Sequence, residues 1–456
     1  MRSLLGGGAG FFTGMLSGLF GRVMSADGEP GWFGGLTIDA PSSGREVVCA
    51  CMARAVQYRA AAAMSWRCMM MSPRADVGCY EYRQADAGKI LPTLLNGCRT
   101  RLRRCDKMSN SSFLPSAPFV MSAESRISPR RVSVAPMMDW TDRHCRSLHR
   151  LVSRHTWLYT EMVTTGALLY GDVARHLAFT PDEAPVALQL GSSEPADLAR
   201  SAKLGEQWGY DEINLNCGCP SERVQRSAFG ACLMKEPQLV ADCVKAMRDA
   251  VSIPVTVKHR IGVDTVEDYA FVRDFVGTVA DAGCEVFIVH ARNAILKGLS
   301  AKENREIPPL KYEYAYQLKL NFPQLEISIN GGIKTLDEVE EHLKHVDGVM
   351  LGREAYHNPY VLAEVDARFY GAAAAVRTRE EIEAGLLDYA RAELARGTYL
   401  SAITRHALGL YRGVAGARGW RRELSDSRQL AKGDLGIFDV GRTHLRDAAA
   451  LEAVES

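Results

Sequence analysis

Two thiols two residues apart, Cys217 and Cys219, stand in the stretch Glu212-Ile-Asn-Leu-Asn-Cys-Gly-Cys-Pro-Ser-Glu-Arg-Val-Gln225. The run to Asn216 reads as a buried strand, and the Gly/Pro turn after it presents the thiols on a rigid edge. Most free cysteines are simply small buried residues. Here two Asn flank Leu215, a Pro follows Cys219 and a polar Ser-Glu-Arg follows the Pro, which is the layout of a loop that offers groups to a ligand. A thiol so placed can give a proton or attack as a nucleophile, and spacing does not separate the two.

Further polar groups recur at the ends of apolar runs: Pro136-Met137-Met138, Glu161, Gln189, Lys258-His259-Arg260, His290-Ala-Arg292, Asn330-Gly331-Gly332 and Gly352-Arg353. The last two resemble a phosphate site, with glycines that let backbone N–H groups approach, a helix N-terminus behind them, and Arg353 as a bidentate partner. Lys258 ends an apolar strand, so it reads as a partly desolvated ammonium, either a Schiff-base nucleophile or a partner for a developing anion. With His290 and Gln189 in the same layer, the set suits a flat hydrogen-bonding cofactor such as flavin mononucleotide (FMN), Lys258 facing negative charge on the ring and Cys219 facing the substrate.

Eight short β-branched runs must position these groups: 132–135, 157–161, 186–190, 212–216, 255–260, 286–291, 326–330 and 348–352. Helical patterns alternate with them, among them 195–207 and 237–250. Eight strand–helix repeats give a (β/α)8 barrel, whose working residues lie at the C-terminal strand ends. Doubly wound sheets use fewer strands and a Gly-rich loop after the first, whereas here the first strand ends in Ala-Pro-Met-Met. The barrel is expected over 129–371, followed by a helical domain over 372–456 with helices at 378–395 and 400–411. Arg405, Arg412, Arg418, Arg421 and Arg422 interleave with Tyr411 and Trp420, which reads either as a phosphate and base platform or as an ordinary charged helix face.

The chain has 456 residues, 47% of them hydrophobic, and a net charge of +1. Residues 1–120 carry 14 Lys/Arg against 8 Asp/Glu and the remainder 41 against 46, so nucleic-acid contact has to come from a local basic patch. Twelve cysteines without CxxC or zinc spacing point to a reducing, cytoplasmic setting and to no metal. His342 and His345 read as solvated, and the sequon at Asn110 carries no weight. Residues 1–125 lack a sustained period and read as a low-order extension or as the product of a start placed upstream of Met121. Targeting by the uncharged segment 3–21 is the alternative, weakened by seven Gly in the first 21 residues.

The segments Val134-Ala-Pro-Met-Met-Asp-Trp-Thr-Asp142, Asn214-Leu-Asn-Cys-Gly-Cys-Pro-Ser-Glu-Arg-Val224, Phe229-Gly-Ala-Cys-Leu-Met234, Val257-Lys-His-Arg-Ile-Gly262, His290-Ala-Arg292, Asn304-Arg-Glu-Ile-Pro-Pro309 and Ile329-Asn-Gly-Gly-Ile333 resemble the tRNA-dihydrouridine synthases, closely the bacterial A-type subfamily. The resemblance runs from about residue 129 to 425. It implies an FMN barrel with a helical tRNA-binding domain that uses NADPH to reduce D-loop uridines at positions 20 and 20a; a monomer is expected. In the family, hydride from the flavin reaches C6 and the Cys of Gly-Cys-Pro protonates C5. That role maps to Cys219, which must then carry its proton. The flavin contacts map to Pro136, Met137, Met138, Gln189, Lys258, His290, Asn330, Gly331, Gly332, Gly352 and Arg353, and the tRNA contacts to Asn216, Lys302, Arg305 and Arg405. Cys217 departs from the aliphatic residue expected there, as a harmless small substitution or as a thiol that exposes Cys219 to oxidation. Two other functions fit the residues less closely: a barrel flavoenzyme for a small free pyrimidine or enone, and a non-catalytic RNA-folding protein.

Overall fold

The computed structural model describes residues 127–455 except 267 and 374. The extension, its sequon and the six cysteines before residue 106 lie outside the described residues. Nine strand segments make one parallel sheet: β1 (Val132–Val134), β2 (Leu158–Tyr159), β3 (Val163–Thr164), β4 (Val186–Gly191), β5 (Glu212–Cys217), β6 (Val255–Arg260), β7 (Val286–His290), β8 (Glu326–Asn330) and β9 (Gly348–Leu351). Their order is β1-β9-β8-β7-β6-β5-β4-β2, with β3 also paired to β4. The Trp157 N–H donates to the Val132 carbonyl, and the Val134 N–H donates to the Trp157 carbonyl, both at 2.9 Å. These bonds join β2 to β1 and close the barrel. Of the run expected over 157–161 only β2 forms a strand, and β3, beyond its limit, continues the same stave against β4.

Successive strand residues point to opposite faces. Ile213, Leu215, Val257, Phe287, Val289, Ile327, Ile329 and Val349 face outward into the main apolar core beneath the helices. Trp157, Tyr159, Ala187, Ile288 and Met350 form a smaller apolar cluster within the barrel. Cys217 has the outward parity of Leu215 and is 0% exposed. The strand itself thus separates the two thiols, one in the core and one on the turn.

After residue 371 the chain is helical, with helices Arg379–Ala395, Leu400–Ala407, Ala417–Glu423, Ser427–Leu430 and Gly436–Glu455. The first opens on a reciprocal cap: Thr378 Oγ1 accepts the Glu381 N–H at 3.2 Å, and Glu381 Oε2 accepts the Thr378 N–H at 2.8 Å. The second ends four residues earlier than its apolar pattern suggests. His144 and Arg143, on the first barrel helix, meet Tyr389 (2.7 Å) and Glu393 (2.5 Å), which fixes this region against the barrel. His342 is buried, not solvated, with its Nδ1 2.7 Å from the Tyr316 hydroxyl.

Candidate active site

The C-terminal mouth of the barrel opens into a cleft of about 1920 Å³. Its wall holds Pro136, Met137, Met138, Gln189, Asn216, Cys219, Lys258, His290, Arg305, Asn330, Gly331, Gly332, Gly352 and Arg353. Closure brings these together from segments more than 200 residues apart in sequence. Lys302 and Arg405 are the two expected site residues that the cleft wall does not include.

The thiol turn is held from two sides. Asn216 Oδ1 accepts the N–H groups of Gly218 (3.1 Å) and Cys219 (2.9 Å), while the Cys219 carbonyl accepts the Ala231 N–H at 2.9 Å. Gly230, with φ +78°, lies so close that a Cβ there would stand 2.6 Å from the Cys219 carbonyl oxygen. Asn216 thereby braces the turn, and its amide is engaged within the protein at the cleft wall. Gln189 is likewise engaged: its Nε2 donates to Asn214 Oδ1 at 2.7 Å, and its Oε1 accepts from Asn216 Nδ2 at 2.9 Å.

Cys219 is partly exposed on the cleft, and Cys217 is buried with its thiol pushed well above the ordinary range by loss of water. Iodoacetamide on the native protein is expected to modify Cys219 and spare Cys217, as read by peptide mass spectrometry, and Cys217→Ala is expected to leave turnover within about twofold. Rapid labelling of Cys217 would show that the strand does not seal it. The same geometry stands against an oxidised pair, because Cys217 is sealed in the core at the end of β5 while Cys219 lies beyond the strand, on the turn at the cleft.

Beside the thiol turn, on the neighbouring strand β6 and the strands after it, stands a group of basic side chains. Lys258 Nζ donates to Asn330 Oδ1 at 3.1 Å, and burial together with Arg260 lowers its ammonium to about 7. Arg260 is 2% exposed, and its hydrogen bonds go to the carbonyls of Gly218, Asn293 and Asn304 at 3.2, 3.1 and 2.9 Å. Burial, with Arg305 and Arg292 nearby, lowers it to about 10. His290 falls well below its usual value through burial and then through Arg260, Lys258, Arg292 and Arg305. Cations that depress one another mark a positive potential that an anion would relieve.

Gly331 (φ +124°) and Gly332 (φ +76°) form a bare stretch of backbone beside them, where a Cβ would strike the His290 ring at 2.9 Å or Leu310 at 2.7 Å. Bare glycines next to unneutralised cations fit the phosphate of an anionic cofactor. Arg353 stands at the rim, tied to Glu306 at 2.5 Å, and both side chains are more than a third exposed. Such a pair is weak and can exchange partners.

The helical region does not form a stacking platform. Trp420 is 0% exposed and donates from Nε1 to the Ala407 carbonyl at 3.0 Å; Tyr411 is buried against it, edge-on with ring centroids 4.7 Å apart. Both aromatics are core. Arg405 is bonded to Asp142, and Arg412 to Glu354 at 3.0 Å. Burial alone would raise the Asp142 carboxyl, but His406, 3.0 Å away, and Arg405 outweigh it and hold it low. Arg405 thus joins the helical region to the barrel loop after β1, next to the cleft rather than in it. Arg260, Asp142 and Glu161 line the cleft without a role read for them in the sequence. Arg260 shares the parity of Lys258, a signal that alternation along β6 offered.

A (β/α)8 barrel with a thiol on a braced turn and an anion-seeking rim at its C-terminal mouth defines the class, a barrel enzyme. Residues 133–446 match the model of the dihydrouridine synthase (Dus) family. The chain is 62% identical over 310 residues to the tRNA-dihydrouridine(20/20a) synthase of Pseudomonas putida, covering 68% of this chain and 92% of that one. It is 59% identical over 310 residues to the enzymes of the same description from Salmonella typhimurium and Escherichia coli K12, covering 68% of this chain and 93% and 90% of theirs. The chain belongs to the dihydrouridine synthase family. Among the described residues no helix is long and apolar enough to cross a membrane.

Proposed function

We propose that this chain reduces uridines 20 and 20a in the D-loop of tRNA to 5,6-dihydrouridine, with FMN in the cleft, NADPH as reductant and Cys219 as the proton donor to C5. The observation that carries this reading is the partly exposed Cys219 lining one cleft with Lys258 and Arg260 of the neighbouring strand. When bound, FMN supplies the hydride. Pro136 to Met138, Lys258, His290, Asn330 to Gly332, Gly352 and Arg353 hold it, with Gln189 supporting them from the barrel wall.

The protein's own part is proton delivery and placement. Cys219 gives its Sγ proton to carbon, and Lys258 and Arg260, both electrostatically coupled to it, face the sulfur that remains. The cleft exceeds the roughly 300–1,000 Å³ of small-molecule pockets, which supports a cofactor plus a turned-out base over a small free pyrimidine. Turning the base out of the folded RNA costs a few kcal/mol. Arg305 on the wall, with Lys302 and Arg405 beyond it, would hold the surrounding phosphates.

The test is mass-spectrometric mapping of dihydrouridine in tRNA from cells with and without the gene. Loss at 20 and 20a on deletion and recovery on complementation are expected. An unchanged map would overturn the reading.

A further inference from the structure

A chain of hydrogen bonds runs through the barrel interior from its N-terminal end to the thiol turn. At the far end Arg130 Nε meets Glu212 Oε2 at 2.5 Å. Thr256 Oγ1 donates to Glu212 Oε1 at 2.5 Å, and Asn214 Nδ2 donates to Thr256 Oγ1 at 2.8 Å. Gln189 Nε2 then donates to Asn214 Oδ1 at 2.7 Å, and Asn216 Nδ2 to Gln189 Oε1 at 2.9 Å. Asn216 Oδ1 is left facing the N–H groups of Gly218 and Cys219. Glu212, Asn214 and Thr256 are each 0% exposed and Gln189 1%, so water does not compete for these bonds.

The direction of this chain is determined at both ends. An ion-paired carboxylate only accepts, so the single Thr256 proton goes to Glu212, and Thr256 must accept from Asn214. That sets the Asn214 amide, which sets Gln189, which sets Asn216. At the other end the two turn N–H groups only donate, so Asn216 must show them its oxygen. Reversing any one amide would set donor against donor and acceptor against acceptor in a dry interior, where an unmade bond is costly.

We propose that Glu212 and Thr256 are positioning residues for catalysis: the carboxylate, through Thr256 and the amides of Asn214 and Gln189, sets the face that Asn216 turns to the loop and so holds Cys219 in place. The proposal rests on the reading of Cys219 given above. Thr256→Val keeps the shape of the side chain and removes the hydroxyl link. Thr256→Ala removes it without any branched side chain, and Thr256→Ser restores it.

Hydrogen exchange on the flavin-loaded protein reads the turn directly. In Thr256→Val and Thr256→Ala, exchange in the peptide spanning 216–221 is expected to quicken about tenfold, with the other barrel strands unchanged. The kcat on tRNA is expected to fall at least tenfold with KM for tRNA held, and Thr256→Ser is expected to recover both. Unaltered exchange at 216–221, a uniform quickening over the barrel, or failure of Thr256→Ser to restore the turn would overturn the proposal. A protein inactive on tRNA but with the expected exchange pattern would instead sink the functional reading and leave the relay standing.

Discussion

Cys219→Ala is expected to lower dihydrouridine formation by about 10²–10⁴-fold while the purified protein keeps its flavin. The thiol is partly exposed on a turn gripped by Asn216 Oδ1 and by the Ala231 N–H, so its removal deletes a proton source without loosening the wall that holds the cofactor. Alanine at 219 leaves the two backbone bonds of the turn in place, and folding should be little changed. Cys219→Ser restores the shape but offers a far weaker acid, so it should recover little. Dihydrouridine would be counted by mass spectrometry of tRNA incubated with each variant and NADPH, beside flavin absorbance per protein. Full turnover in Cys219→Ala would remove the proton-donor assignment, and loss of flavin along with activity would recast the thiol as structural.

The second large effect concerns Lys258. Its ammonium lies at about 7 in the folded protein against an ordinary 10.5, lowered by burial and by Arg260. Between those values the unfolded chain holds a proton that the cofactor-free protein lacks. Stability of the cofactor-free protein should therefore rise with pH from about 7 to 10.5, with the penalty fully present below 7. An anion bound beside Lys258 favours the charged form, so cofactor binding above pH 7 should take up a proton. Affinity should then fall by up to about tenfold per pH unit over that range. Lys258→Met should abolish the uptake and lower flavin retention at pH 7 by at least tenfold. Calorimetry of FMN binding at pH 8 in two buffers of different ionisation enthalpy measures the uptake. A zero value in the unsubstituted protein would mean that Lys258 does not face the anion.

Much of this was legible from residue order. Seven of the eight expected runs became single strands close to their expected limits, because a strand buried on both faces needs an unbroken apolar or small-residue alternation. The eighth, over 157–161, shortened to β2, with the unexpected β3 following at 163–164. The cleft residues are legible because the (β/α)8 topology gathers the C-terminal strand ends on one rim. The setting of Tyr411 and Trp420 stayed open for the complementary reason. Aromatics spaced among arginines look alike whether their rings face solvent or a neighbouring helix, and only the packing of Phe438 and Glu383 against them decides it.

By itself, then, the order of residues determined the barrel, the thiol turn and the basic, glycine-bearing rim, because alternation, turn chemistry and motif spacing are properties of neighbouring residues. The tertiary structure alone decided the rest. It set Cys217 in the core and Cys219 on the cleft. It paired Arg405 with Asp142, 263 positions away, and turned the amides of Asn214, Gln189 and Asn216 one way through Thr256 to Glu212. Those outcomes depend on which groups meet when the barrel closes and on which of them, once dry, have only one partner left.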